Sequence, residues 1–332
     1  MNEYQKYLIE EFVDEYHERR MSRRSLLRRA VLIMGSVPAA AAALVAAGCG
    51  DDDDPPLADD ESPTAPPGQS TAATATAATT ATRTAPSASA SAAATTAAAV
   101  AGGIEIKFKG PGSDLLGYLA LPTGEAKAPG VLIIHENRGL NDHTRDIARR
   151  YAAEGFAALA VDLVSRDGGS KADTAQNTGS LGRARPDDFI ADLKAYGAYL
   201  LEQPRVKAGG VGVTGFCFGG GYAFDRSKRP GEAAIADANV KAAVPYYGIC
   251  RLLNQLATTK SAVLVMYGGN DTRVTGQAEQ VKAELTKSGQ PFDVKVYPGA
   301  NHAFFNDTSG SYNAEAAKDA WALTLAWFRK YV

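Results

Sequence analysis

The chain has 332 residues, with 35 Lys and Arg against 37 Asp and Glu, giving a net charge of −2. That balance excludes a nucleic-acid binder working by bulk positive charge, and three cysteines beside four histidines exclude a disulfide framework or a zinc cluster. Length alone suggests about two domains at roughly 100 to 200 residues each. Residues 71–100, however, hold 15 Ala, 9 Thr and 3 Ser, too little apolar bulk to offset the entropy of ordering, so one folded domain is expected over 103–332.

Residues 1–20 form a charged leader carrying Glu10, Glu11, Asp14 and Glu15, to which the residues alone assign no role; Met21, directly after it, is an alternative start. Residues 21–49 come next. Ser22-Arg23-Arg24-Ser25-Leu26-Leu27-Arg28 precedes a weakly apolar stretch from Ala30 to Ala47, interrupted by Pro38. This resembles a bacterial twin-arginine export signal, which implies export of an already folded protein. An uncleaved membrane helix is the alternative, but about 18 Ala-rich residues lie at the lower limit for spanning a bilayer. The segment ends Ala46-Ala47-Gly48-Cys49, which resembles a lipoprotein processing site with Cys49 as the lipidated residue; an ordinary small-residue cleavage site is the bland alternative. Residues 50–102, opening with Asp51–Asp54, read as a disordered Ala/Thr/Ser/Pro linker holding the folded domain off the membrane. The expected location is the bacterial cell envelope.

Within 103–332, Ile104–Lys109 and Gly117–Leu121 read as an antiparallel hairpin at one sheet edge. Continuous apolar runs follow at Gly130–His135, Ala157–Leu163, Val211–Phe216, Lys241–Tyr247 and Ala262–Tyr267, the pattern of strands covered on both faces. Helical periodicity lies between them, at about 142–154, 187–202, 275–288 and 314–330. The alternation predicts an α/β fold with a mostly parallel sheet and helices on both faces. In the last helix, Trp321, Leu325, Phe328 and Tyr331 share a face and read as core. Phe224–Glu232 (FDRSKRPGE) is unusually charged for a helix beneath a sheet.

Gly215-Phe216-Cys217-Phe218-Gly219-Gly220 joins a strand to a helix, and glycines two before and two after a central residue permit the strained turn known as a nucleophile elbow. Here the nucleophile would be Cys217; a glycine-rich turn with a buried cysteine is the bland reading. Asp271 follows the strand Ala262–Tyr267, and His302 follows Phe292–Tyr297, so nucleophile, acid and base stand in the chain order of an α/β-hydrolase triad. His17 lies in the leader, while His135 and His143 precede the elbow and are less suited to be the base. A free thiol titrates near 8.5, so Cys217 needs a base. His302 would take its proton and Asp271 would hold the imidazole. The backbone N–H groups of Phe218 and Asn137 are the expected oxyanion donors, each worth about 3 kcal/mol of transition-state stabilisation.

His135-Glu136-Asn137-Arg138-Gly139-Leu140, the cysteine elbow and Asn301-His302-Ala303-Phe304 together resemble the dienelactone hydrolase family through most of residues 104–330. The resemblance implies a carboxymethylenebutenolidase-like hydrolase opening a lactone or small ester, with no metal or organic cofactor. It also implies that Glu136 contacts the resting thiol and takes part in its activation; a surface carboxylate is the bland alternative. The family holds a substrate carboxylate with arginines. Arg183 and Arg185, in the glycine-rich loop before Pro186, and Arg138 are the candidates, because Asn306 stands four residues beyond the histidine where the second arginine usually lies. Tyr246 and Tyr247 end a strand at the active-site edge, where Tyr247 is a candidate pocket residue, and Cys250 reads as a buried thiol able in principle to pair with Cys217. The expected partners are a small-molecule substrate and, through Cys49, a membrane; oligomeric state is open, with a monomer favoured. A non-catalytic envelope ligand-binding protein on the same fold is the rival, which an intact triad disfavours, and a thiol redox protein would need a Cys-x-x-Cys pair that is absent.

Overall fold

The apolar runs assemble into one eight-stranded sheet in the computed structural model, which describes residues 1, 3–17, 21–49, 102–225 and 240–332. The expected linker, Gly102 apart, and residues 226–232 of the charged stretch after the elbow lie outside the described residues. The strands are β1 (Gly103–Lys109), β2 (Asp114–Ala120), β3 (Ala128–Ile134), β4 (Ala157–Val161), β5 (Val206–Phe216), β6 (Val240–Tyr246), β7 (Ala262–Gly268) and β8 (Phe292–Tyr297). Their order is β1-β2-β4-β3-β5-β6-β7-β8, with β1 and β2 antiparallel at one edge and β4 to β8 parallel. The register pairs Ile134 with Gly215, Phe216 with Tyr246 and Gly268 with Tyr297, so the carboxyl ends of β3, β5, β6, β7 and β8 align along one rim. In open parallel sheets that rim is where ligands bind.

Six helices and an N-terminal trio cover this frame among the described residues: α1 (Glu3–His17), α2 (Arg23–Met34), α3 (Val37–Ala46), α4 (Asp142–Ala153), α5 (Thr174–Arg183), α6 (Pro186–Glu202), α7 (Phe218–Asp225), α8 (Ala278–Ser288) and α9 (Ala314–Tyr331), with a short turn at Thr272–Thr275 before α8. The first three are the trio, and α4 to α9 flank the sheet. On one face Tyr151 of α4 stacks against Trp321 and Phe328 of α9; on the other Phe189 of α6 packs edge-on to Phe218 and Tyr222 of α7. Burying such rings contributes about 1.5 to 3 kcal/mol each. Phe328 and Leu325 are buried and Trp321 and Tyr331 pack partly against the same core, as their helical spacing predicted.

Two N-terminal features differ from the sequence expectation. Residues 3–17 of the leader form a helix with one face buried, Leu8, Ile9 and Phe12 completely, and residues of α1, α2 and α3 share one continuous core with the sheet. No single helix among the described residues is long and apolar enough to cross a membrane; α2 and α3 reach that length and hydropathy only together and bend by 110°. The glycine-rich stretch before Pro186 is also not a loop. It forms α5, started by Asp173, whose carboxylate accepts the Ala175 N–H at 3.1 Å. Its glycines serve packing: a Cβ on Gly179 or Gly182 would lie 3.0 Å from Leu32 or Ile33 of α2.

Candidate active site

Cys217 follows β5 directly and takes a left-handed backbone with φ 54°, a conformation that costs a non-glycine residue about 1 to 3 kcal/mol. The surroundings enforce it: the Cys217 N–H donates to Tyr246 O at 3.0 Å, and the Gly221 N–H returns to Cys217 O at 3.0 Å. A Cβ on Gly215 would fall 2.0 Å from the Gly219 carbonyl oxygen, and one on Gly219 2.4 Å from Ile134 O. The turn therefore requires glycine at both places. It delivers the buried thiol to the rim at the amino end of α7.

Asp271 and His302 reach the same rim from the ends of β7 and β8. The His302 Nδ1–H donates to Asp271 Oδ2 at 2.5 Å, and a ring nitrogen of His302 lies within 4.8 Å of Cys217 Sγ. His302 Nε2 is buried with no hydrogen-bond partner among the described residues, which leaves it available for a thiol proton. Burial works against a charged imidazole, but the carboxylate of Asp271 and its hydrogen bond outweigh it and hold His302 above its ordinary range. Burial likewise opposes ionised Asp271, yet His302 keeps that carboxyl below the usual carboxylate value. Ala303, with φ 60°, turns the chain immediately after the histidine, and the buried Tyr247 ring packs edge-on against the imidazole at 5.1 Å.

The loop after β3 carries the remaining candidates. His135 is structural: burial lowers its imidazole's titration, and Nε2 accepts the Leu163 N–H at 3.1 Å. His143 is buried with Nδ1 3.1 Å from Asp307. Asn137 is buried, and α5 pins its loop: Thr178 Oγ1 donates to Asn137 O at 2.9 Å, and Asn177 Nδ2 to Arg138 O at 2.9 Å. The Glu136 carboxylate does not meet the thiol. It accepts from Tyr247 O–H at 3.4 Å and from Asn306 Nδ2 at 3.0 Å, so Asn306, standing in place of a family arginine, holds a carboxylate of this chain. Arg138 lines the cavity over Cys217. Arg183 and Arg185 do not. Arg183 closes α5 and donates to Leu32 O of α2 at 2.7 Å, while Arg185 is exposed at the start of α6. No disulfide joins Cys49, Cys217 and Cys250.

The sequence profile of the dienelactone hydrolase family matches residues 115–332. The chain belongs to the dienelactone hydrolase family. As such it is a hydrolase acting on ester bonds on an α/β-hydrolase fold. It is 34% identical over 218 residues to a Synechocystis protein named "Putative carboxymethylenebutenolidase", covering 62% of this chain and 88% of that protein. A Salmonella typhimurium protein of the same name is 32% identical over 235 residues, covering 66% and 84%. A Klebsiella pneumoniae crystal structure described as a "Putative Dienelactone Hydrolase" superposes with a TM-score of 0.60 at 27% identity, covering 69% of this chain and 98% of that one.

In this dienelactone hydrolase relative the thiol's partner comes from the leader. Cys217 Sγ donates to Glu11 Oε1 of α1 at 3.0 Å, Asn137 Nδ2 donates to the same oxygen at 2.7 Å, and Tyr7 O–H lies 3.6 Å from the sulfur. Burial first, then the charges of Glu11 and Glu136, push the thiol well above its ordinary range. Sequence reasoning missed Glu11 because contact across 206 residues leaves no trace in local pattern. It also missed Arg251 and Arg273, whose guanidinium groups lie 4.9 and 5.1 Å from the Tyr7 ring centre. Glu11, Cys217 and His302 each place one ligand atom within 4.8 Å of the others, a grouping that could hold a soft divalent metal.

Proposed function

We propose that the enzyme opens a lactone or small ester through a thioester on Cys217. The observation that carries this reading is the elbow cysteine beside a histidine whose far nitrogen is anchored on Asp271 and whose near nitrogen is unpartnered. His302 Nε2 removes the thiol proton as Sγ attacks the carbonyl carbon, and the developing oxyanion meets the backbone N–H groups of Phe218 and Asn137. Collapse expels the alkoxide, which takes the proton from His302 and in a lactone stays attached as a hydroxyl. Water then attacks the thioester and gives one proton to His302; the intermediate expels the thiolate, which takes that proton back from His302, and the carboxylic acid leaves and loses its remaining proton to solvent. Asp271 stays ionised and holds the imidazole tautomer throughout.

A hydrolysis screen of lactones and short acyl esters with residues 103–332, beside the Cys217→Ala variant, tests the proposal. The parent domain is expected to cleave members of the set and to show an acyl adduct on Cys217 by mass spectrometry. The variant should lose several orders of magnitude in kcat/KM. Full activity in Cys217→Ala ends the thiol mechanism.

Export and lipid anchoring belong to the same proposal and rest on sequence. Arg23 and Arg24 stand exposed at the start of α2, and Cys49 follows α3 closely, which supports a signal that can be read while the catalytic domain is folded.

A further inference from the structure

We infer that α1 is a built-in inhibitor of this hydrolase: it lies in the substrate cleft with the Glu11 carboxylate against Cys217, so turnover requires α1 to leave. The inference rests on the hydrolytic reading above for what is inhibited, but the seat of α1 stands on its own geometry. Glu11 Oε1 sits 3.0 Å from Sγ and 2.7 Å from Asn137 Nδ2, in contact with the nucleophile that a substrate's ester group must reach. With α1 in place the cavity lined by Glu11, Glu136, Arg138, Cys217 and His302 is about 40 Å³, room for a water molecule or so, whereas small-molecule sites run to about 300 Å³ or more.

The fit is matched in charge and shape along the helix. Glu15 lies 3.5 Å from Arg138, Asp14 accepts from Arg273 Nε at 2.6 Å, and Arg251 and Arg273 both lie against the Tyr7 ring. The outer side is clamped by α2, where Gln5 Nε2 donates to Ile33 O at 3.2 Å and Arg29 lies over the Phe12 ring and pairs with Glu15. In turn α2 rests on the glycines of α5 noted above. Leu8, Ile9 and Phe12 are fully buried, so the helix cannot be a loosely tethered tail. Burial, and then the neighbouring Glu11 carboxylate, also push the Cys217 thiol up, which disfavours its reactive thiolate. Cleavage ahead of Cys49, if export proceeds as proposed, breaks the covalent tie between this inhibitor and the catalytic domain.

The test uses the full chain. Cys217 is alkylated with iodoacetamide and followed by mass spectrometry of its peptide, in parallel with hydrolysis of p-nitrophenyl acetate. Two variants dislodge or empty the seat: Ile9→Asp with Phe12→Asp, and Tyr7→Ala with Glu11→Ala. Glu10→Ala, on the outer side of α1 beside Lys6, is the control. Both double variants are expected to raise alkylation of Cys217 and ester hydrolysis at least tenfold over the parent, with the control within twofold of it. Thermal melts check that the variants keep the catalytic fold, and the alanine pair, which only removes side-chain atoms, carries the test where the aspartates unfold the chain. Alkylation within twofold of the parent in the folded variants overturns the inference, whatever hydrolysis does. A tenfold gain in alkylation with no ester cleaved by any variant upholds α1 as the cover of the thiol and sinks the hydrolytic reading instead.

Discussion

At the scale of single residues, the site turns on how three carboxylates are partnered. Asp271 holds His302, Glu136 is held by Tyr247 and Asn306, and Glu11 accepts the thiol. The Asp271–His302 pair has a definite pH signature. The Asp271 value is lowered on folding, so its stabilisation is present above about pH 4 and is lost as pH falls through the lowered value. The His302 value is raised, so its stabilisation is present below about pH 6.5 and is lost as pH rises through the raised value. Asp271→Asn should therefore cost most between about pH 4 and 6.5, by roughly 1.5 to 3 kcal/mol for a buried charge-assisted hydrogen bond, with the gap narrowing to either side. Chemical denaturation of both proteins across pH 3 to 9 checks this. A gap that is flat with pH shows that the pair is not ionised in the folded state. Activity at neutral pH should fall about 10⁴-fold in the same variant, since the imidazole loses its tautomer anchor.

At the scale of elements, the elbow and α5 show glycine used in two ways. Gly215 permits a turn in which the chain nearly touches itself, whereas Gly179 and Gly182 let two helices approach. Gly215→Ala should destabilise the domain by about 3 kcal/mol or more, because backbone and not a flexible side chain stands 2.0 Å from the new methyl. Gly310→Ala, where nothing lies within 4 Å, should stay within about 0.5 kcal/mol. Urea melts of the two variants measure the contrast, and equal stabilities would mean that the turn can open without loss. The elbow was legible in the sequence because its glycine spacing is local. Helix α5 was not: Gly179 and Gly182 read as loop residues, and only the Leu32 and Ile33 side chains of α2 explain why a helix keeps them.

At the scale of the whole molecule, a catalytic sheet, a signal-like helix pair and the leader form one body among the described residues. The proposed anchor has a consequence at this scale. If Cys49 is the lipidated residue after processing, Cys49→Ala in the native host should move the protein from the membrane fraction to the soluble fraction or block its maturation. Fractionation followed by N-terminal mass analysis decides it, and an unmodified mature N-terminus at another residue removes the anchor. The burial of α2 against α5 adds a constraint to that proposal: if Arg23 and Arg24 are an export signal, they are met on a helix already docked to the folded domain.

The sequence by itself determined the strands of the sheet, the helices α4, α6, α8 and α9, the hairpin edge, the elbow and the chain order Cys217, Asp271, His302. These follow from hydrophobic period and from turn chemistry that depends on neighbouring residues. Core helices were legible for the same reason, as Trp321, Leu325 and Phe328 recur at helical spacing. Only the tertiary structure decided which carboxylate meets the thiol, and it chose Glu11, 206 residues away, over the nearby Glu136. It also turned Arg183 toward α2 instead of the cleft and brought Arg251 and Arg273 to α1. Such pairings depend on where a helix docks, and a row of Glu10, Glu11, Asp14 and Glu15 looks the same in a sequence whether it faces water or a nucleophile.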